Sequence, residues 1–363
     1  MTFDFVARLD ALRRLMDAHS VDALLASVGA DLPYFTGYEA MPLERLTMLV
    51  VTKDGPPVLL VPELEAPRVA YLPDGFELRP WGETEDPVGI AARLLDGLGS
   101  VVAGDQTWAT FVLALQQLLP EARFGIASPL TRQLRIRKDP EEADALRRAA
   151  HATDRVAARL REQRFSGRSE AELSRLVADM TVEEGHQVAT FSIVASGPNG
   201  ASPHHEASER VIEDGDAVVV DFGGKLDGYC SDTTRTFHVG EPAPEYRAIF
   251  TVLEEAQAAA VEAVRPGVAA QDIDRTARKV IEGAGYGKYF IHRTGHGIGL
   301  EAHEHPYLVE GNDLQLESGM TFSIEPGIYL PGRFGMRIED IVAVTDTGVE
   351  RLNRSDRSLL VVD

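Results

Sequence analysis

Cysteine is nearly missing: Cys230 is the one thiol in 363 residues, which excludes an internal disulfide and fits a reducing compartment. Basic charge is in deficit too, with 36 Lys and Arg against 57 Asp and Glu and a formal net charge of −21. Phosphate recognition needs basic patches, so this balance argues against nucleic acid or an anionic membrane as a partner. No uninterrupted apolar run approaches the ~20 residues of a membrane span. The opening residues MTFDFVARLD lack the basic segment and apolar core of a secretory signal, and a cytoplasmic location is the expectation. Low-complexity stretches and short repeat arrays are absent as well.

What is present fits two domains, with 44% hydrophobic residues to build their cores. Residues 4–18 place apolar side chains at helical spacing behind Asp4, an N-cap candidate. Strand-like runs at 21–27, 46–52, 57–62, 101–105 and 122–128 then alternate with helix-like runs near 87–97 and 108–118. That rhythm predicts an α/β domain with a mixed sheet over residues 1–133. It holds no cluster of catalytic side chains. The phrase DLPYFTGY (31–38) reads as a structural turn.

A second domain, 134–363, is expected from the junction onward. Asp139-Pro140-Glu141-Glu142 is a helix start, with a cap residue, proline in the first turn and acids at the positive end of the dipole. A long amphipathic helix follows, then a second from about Ser169 to Glu184, and two more fit 243–264 and 270–284. Each helix pair precedes a predicted hairpin, an α+β pattern repeated within the domain.

The first hairpin is AVVVDFGGKLDGYCSDTTRTFHV (217–239), two β-branched runs around Asp227-Gly228. A turn centred between Leu226 and Asp227 sets Asp221 opposite Asp232. Two like charges facing each other on a strand pair are destabilising, and a bare carboxylate beside Ala217 to Val220 is costly. A cation between them removes both problems. The second hairpin, MTFSIEPGIYLPGRFGMRIEDIVAV (320–344), turns at Pro331-Gly332-Arg333 and sets Glu325 opposite Glu339. Gly215 and Gly319 stand six residues before Asp221 and Glu325 respectively, which suggests an internal duplication with one acidic pair from each half.

Between the hairpins, His292, His296, His303 and His305 crowd into fourteen residues among glycines. His296, flanked by Gly295 and Gly297, is read as the one whose backbone lets a ligand approach. Four carboxylates and an imidazole without thiolate make a hard, oxygen-rich donor set. It suits two divalent ions such as Mn²⁺ or Co²⁺, whose four positive charges match four carboxylates. Thr234 and Asp340 are read as the partners that orient these ligands.

The order Asp, Asp, His, Glu, Glu in the contexts VDFGGKLDGYCSDTTRTF, HRTGHGIGLEAHE, SIEPGIY and RIED resembles the pita-bread-fold dinuclear metallopeptidases. Within them the chain is most similar to the proline dipeptidase (prolidase) and aminopeptidase P group. The resemblance spans nearly the whole chain, with residues 1–133 as a creatinase-like N-terminal domain. It implies metal ligands at Asp221, Asp232, His296, Glu325 and Glu339, with Mn²⁺ first and Co²⁺ or Zn²⁺ as alternatives. It also implies hydrolysis of Xaa-Pro dipeptides by a hydroxide held between the ions, a proton accepted by Glu325, and an oxyanion met by His204 and His303. His204 follows the loop Ser196-Gly197-Pro198-Asn199-Gly200; His205 carries no matched role. Arg337 is expected to bind the substrate's carboxylate end, or else to pair with Asp340 or a ligand, and His292 to face the substrate. An aminopeptidase P acting on longer peptides is the nearest alternative. A non-catalytic peptide binder is the third, though it has no reason to keep five converging charged groups. A homodimer is expected from the same likeness.

Overall fold

Asp4 accepts a hydrogen bond from the Ala7 amide at 2.8 Å and starts helix α1 (Phe5–Ala18), whose Leu9, Leu12 and Met16 are buried at helical spacing. The computed structural model describes residues 3–69 and 71–363, in two units that divide between Arg135 and Ile136. After α1, the first unit runs β1 (Ala23–Ala26), α2 (Asp31–Thr36), β2 (Met48–Thr52), β3 (Val58–Pro62), β4 (Glu77–Trp81), α3 (Pro87–Leu94), β5 (Ser100–Ala103), α4 (Ala109–Leu118), β6 (Arg123–Ile126) and α5 (Ser128–Arg135). Its sheet has the order β4-β3-β2-β1-β5-β6. The β1/β2 and β2/β3 pairs are antiparallel and the rest parallel.

One local reading changes. The segment 31–38 forms a short helix closed by Gly37 at φ 72°, because Gly37 supplies a left-handed C-cap. Strand β4 and helix α5 carry no clear sequence signal. In β4, ELRPW buries only Trp81, and α5 is mostly polar.

In the second unit, Asp139 caps α6 (Pro140–Leu160) and Ser169 caps α7 (Glu170–Glu183). Each cap is returned by a glutamate three residues on. There follow β7 (Val188–Ser196), β8 (Ala217–Leu226), β9 (Tyr229–Cys230), β10 (Thr233–Val239), α8 (Pro244–Ala263), α9 (Ala270–Gly283), β11 (Gly295–Gly297), β12 (Glu304–Leu308), β13 (Thr321–Ile324), β14 (Gly327–Leu330), β15 (Phe334–Arg337), β16 (Asp340–Val344), β17 (Val349–Arg351) and β18 (Leu360–Val362). One sheet runs β18-β10-β8-β7 with β9 beside β8, a second runs β12-β11-β13-β16-β17, and β14 pairs with β15.

The two helix pairs cover the two sheets. Leu160 and Val177 pack with Val218 and Val220 under α6 and α7. Leu253 and Ile273 pack with Phe322 and Val342 under α8 and α9. Each such fully buried side chain contributes roughly 1.5–3 kcal/mol. The halves also close alike: the Gly215 amide bonds the Val239 carbonyl and the Gly319 amide bonds the Val344 carbonyl, both at 2.9 Å. At the start of the second helix of each pair, the Glu170 amide bonds the Arg210 carbonyl at 3.0 Å and the Ala270 amide bonds the Leu314 carbonyl at 2.9 Å.

Candidate metal centre

Strand β8 is buried from Ala217 to Gly224, and Asp221 stands in the middle of it. Its partner across the ladder is Thr234, not Asp232. The expected register was short by two, because Asp227 and Gly228 are themselves the two central turn residues, with φ of 52° and 82°, the type I′ geometry that Asp-Gly favours. A slip of two leaves every side chain on its face. Asp232, in the break between β9 and β10, therefore still meets Asp221, and both come within 4.8 Å of Glu339.

The second pair has the expected register. Ile324 opposite Asp340 and Gly327 opposite Arg337 bracket Glu325 and Glu339. Both glutamates lie where the ladder opens, and their amides bond elsewhere: Glu325 to the Thr294 carbonyl at 2.8 Å, Glu339 to the Thr234 carbonyl at 3.2 Å. Those bonds draw the hairpin toward β11 on one side and β10 on the other. His296 sits at the centre of β11, and its flanking glycines serve the strands rather than a ligand. A Cβ at Gly295 would lie 1.9 Å from the Ser323 carbonyl oxygen, and one at Gly297 would lie 2.3 Å from that of His305.

The His296 ring has its Nδ1 3.1 Å from the Gly297 carbonyl, which holds the proton there and aims the Nε2 lone pair into the site. Nε2 lies 3.1 Å from Glu325 Oε1 and 3.7 Å from Asp232 Oδ2. Three electron-pair donors at those distances need a proton or a cation among them. Burial, with the charges of Glu339, Asp221 and Glu325, raises Asp232 well above the ordinary carboxylate range. Burial and the charges of Glu325 and Asp221 do the same to Glu339. Burial also works against Glu325, but a proton on His296 Nε2, standing where a cation would, supplies a hydrogen bond and a charge that outweigh it and bring that carboxyl down to about 2. Asp221 Oδ1 and Glu339 Oε1 are buried with no hydrogen-bond partner among the described residues. Orphaned carboxylate oxygens are costly, and both belong to the five-residue donor set, so the residues fit divalent cations.

These groups form the floor of a cavity of about 480 Å³. His204 and His303 stand at its exposed side, and Phe191 and Ile193 of β7 give it an apolar wall. The His303 ring lies 3.8 Å from that of His296, and with Asp232 and His296 it forms a further cluster of metal-competent atoms. Burial and His296 push His303 down to about 4, which leaves a neutral ring with one N–H to donate. His292 bonds the Arg293 carbonyl through Nδ1 at 2.7 Å, so its Nε2 accepts from the Tyr329 hydroxyl at 2.9 Å.

Of the two roles expected of Arg337, the structure has the pairing with a ligand, and the role expected of Asp340 is corrected. The Arg337 guanidinium is committed to the protein: it donates to Thr234 Oγ1 at 3.0 Å, Tyr329 Oη at 2.7 Å, Asp221 Oδ2 at 2.6 Å and the Pro203 carbonyl at 3.4 Å. That occupies all but one of its N–H groups and leaves little for a substrate carboxylate. Asp340 touches no candidate ligand side chain. It accepts from Arg235, Arg351 and Arg357, and Arg235 in turn holds the backbone carbonyls of Thr234 and Glu339. Thr234 does reach a candidate ligand, donating to Glu339 Oε2 at 2.8 Å. Sequence reasoning missed Tyr329, although strand alternation from Glu325 points to it. It also missed Arg293, which lines the cavity with its guanidinium 4.3 Å over the Tyr307 ring and has no carboxylate partner among the described residues.

Residues 144–346 match the profile of Metallopeptidase family M24, and residues 8–137 match that of the Creatinase/Prolidase N-terminal domain. The chain belongs to the M24 metallopeptidases. It is 45% identical over 357 residues to a Mycobacterium tuberculosis protein named Probable dipeptidase PepE, covering 96% of this chain and 95% of the relative. It is 35% identical to an Xaa-Pro dipeptidase of Lactobacillus helveticus, covering 98% of each. Among solved structures it resembles a prolidase from Thermococcus sibiricus with a TM-score of 0.95 at 37% identity, covering all of both chains. This M24 peptidase thus has a Creatinase/Prolidase-type N-terminal domain and a pita-bread C-terminal domain.

Proposed function

We propose that the chain is a metal-dependent Xaa-Pro dipeptidase, with Asp221, Asp232, His296, Glu325 and Glu339 holding two divalent ions. The observation that carries this is the pair of buried oxygens, Asp221 Oδ1 and Glu339 Oε1, unpartnered among the described residues, within a converging five-residue donor set. The hard donors favour Mn²⁺, with Co²⁺ or Zn²⁺ also accommodated. Bound there, the ions supply Lewis-acid activation of water and of a peptide carbonyl. The chain's own groups do the rest. Glu325 accepts the water's proton and returns it to the leaving nitrogen. His204 and His303 donate N–H groups to the carbonyl oxygen as it gains charge. Arg337 and Thr234 keep Asp221 and Glu339 in place, and Arg293 receives the free carboxylate of the terminal proline. The relatives named Xaa-Pro dipeptidase and prolidase support the substrate class. The matching backbone closures of the two halves support an origin by duplication.

The deciding assay compares Ala-Pro with Ala-Pro-Ala in the presence of Mn²⁺. The dipeptide is expected to be the better substrate by kcat/KM; preference for the tripeptide identifies an aminopeptidase P instead. His204→Ala and His303→Ala are each expected to keep their metal and lose roughly 10² or more in turnover, the scale of one oxyanion donor. Loss of metal from His303→Ala would make that ring a ligand. We also propose a cytoplasmic homodimer, and light scattering that finds only a 39.6 kDa species at micromolar concentration would exclude the dimer.

A further inference from the structure

Glu170 is a carboxylate with no solvent exposure, far from the cavity in sequence, and the mechanism above gives it no task. It is the first residue of α7, yet its side chain does not serve the helix; Ser169 and Glu172 form the capping box. Instead it gathers the loop that follows β7. Oε1 accepts from the Ser196 amide and hydroxyl, both at 2.7 Å, and Oε2 accepts from the Ser208 amide at 3.1 Å and hydroxyl at 2.6 Å. The Asn199 side-chain amide spans both oxygens at 3.1 Å, and His205 Nε2 donates to Oε2 at 2.8 Å. Burial works against this charge, but the bonds from Ser208, Ser196 and His205 hold the carboxyl at about 2.

The second half of the domain shows that the fold itself does not need this group. The position equivalent by its backbone bond is Ala270, equally buried and with no polar side chain. What distinguishes the first half is the loop, which brings Pro203 and His204 to the cavity. Its other side is pressed against β15: a Cβ on Gly335 would lie 1.8 Å from the Gly200 carbonyl oxygen, and the Pro203 carbonyl meets Arg337. The residue next to His204 is thus tied to Glu170, while the residue before it is tied to the metal-site arginine.

We propose that Glu170 is a positioning residue for His204, fixing through Ser196, Asn199, His205 and Ser208 the loop that aims that imidazole at the substrate's carbonyl. This rests on the role given to His204 above. It also assigns His205 as a tether of the loop rather than a substrate contact.

The test is a double-mutant cycle on Ala-Pro hydrolysis by the Mn²⁺-loaded enzyme, with metal content measured on every variant. Glu170→Gln is expected to keep its metal and lower kcat about tenfold or more, because small misplacements of a catalytic group are that costly. In the His204→Ala background the same change is expected to cost less than about twofold, the non-additivity that marks two residues acting as one unit. Should Glu170→Gln fail to fold, Ser208→Ala removes one donor and is run through the same cycle. A costly His204→Ala with fully additive losses, or an active Glu170→Gln with unchanged kcat, overturns the positioning role alone. A silent His204→Ala overturns the role of His204 itself, and this one with it.

Discussion

Asp232→Asn lowers turnover of Ala-Pro by roughly 10² to 10³, the scale of the several kcal/mol that metal activation supplies, and lowers metal content per chain. The carboxylate is buried among Glu339, Asp221 and Glu325, so it is tolerable as an anion only with a cation against it. The same reasoning fixes the sign of a second effect. In metal-free protein the substitution removes a source of like-charge repulsion, so the melting temperature does not fall. In Mn²⁺-loaded protein it does fall, because ligand-linked stabilisation shrinks with affinity. Calorimetry with and without Mn²⁺ separates the two. Full metal content and full turnover in Asp232→Asn would remove this residue from the ligand set.

Capping the proline carboxylate as an amide weakens use of Ala-Pro by roughly tenfold to more than a hundredfold, since a hydrogen bond to a charged group contributes about 1.5–3 kcal/mol. The penalty nearly vanishes in Arg293→Ala and persists in Arg337→Lys. The reason is the contrast between the two guanidiniums. Arg337 is buried and bonded to Asp221, Thr234 and Tyr329, whereas Arg293 stacks on Tyr307 at the cavity wall without a carboxylate partner among the described residues. Equal kcat/KM for Ala-Pro and its amide in the wild type would move the chain to the aminopeptidase P reading.

The carboxylate pairs were legible because strand periodicity is forgiving. Misplacing the Asp227-Gly228 turn changed the partner of Asp221 to Thr234 but not the face it occupies, whereas Pro331-Gly332-Arg333 centred the second hairpin correctly. What strand alternation cannot show is which polar groups a long side chain reaches. Arg337 shares a face with Glu339 in any register, yet its bonds to Asp221 and Tyr329 come from other strands. Asp340 looked like a ligand's neighbour by adjacency, and three arginines from elsewhere in the chain claim it. Glu170 was hidden for a different reason. An acid in the first turn of a helix has a sufficient local explanation in the helix dipole, and only the fold shows the loop wrapped around it.

The donor set is divided between the halves of the domain: Asp221 and Asp232 come from the first hairpin, and His296, Glu325 and Glu339 come from the other sheet and its hairpin. Either half taken alone offers two carboxylates, or two carboxylates and one imidazole, and so only half of the negative charge that the complete set presents. The complete donor set therefore exists only where the two halves of the domain are packed together, so its geometry reports on the whole domain and not on either hairpin alone.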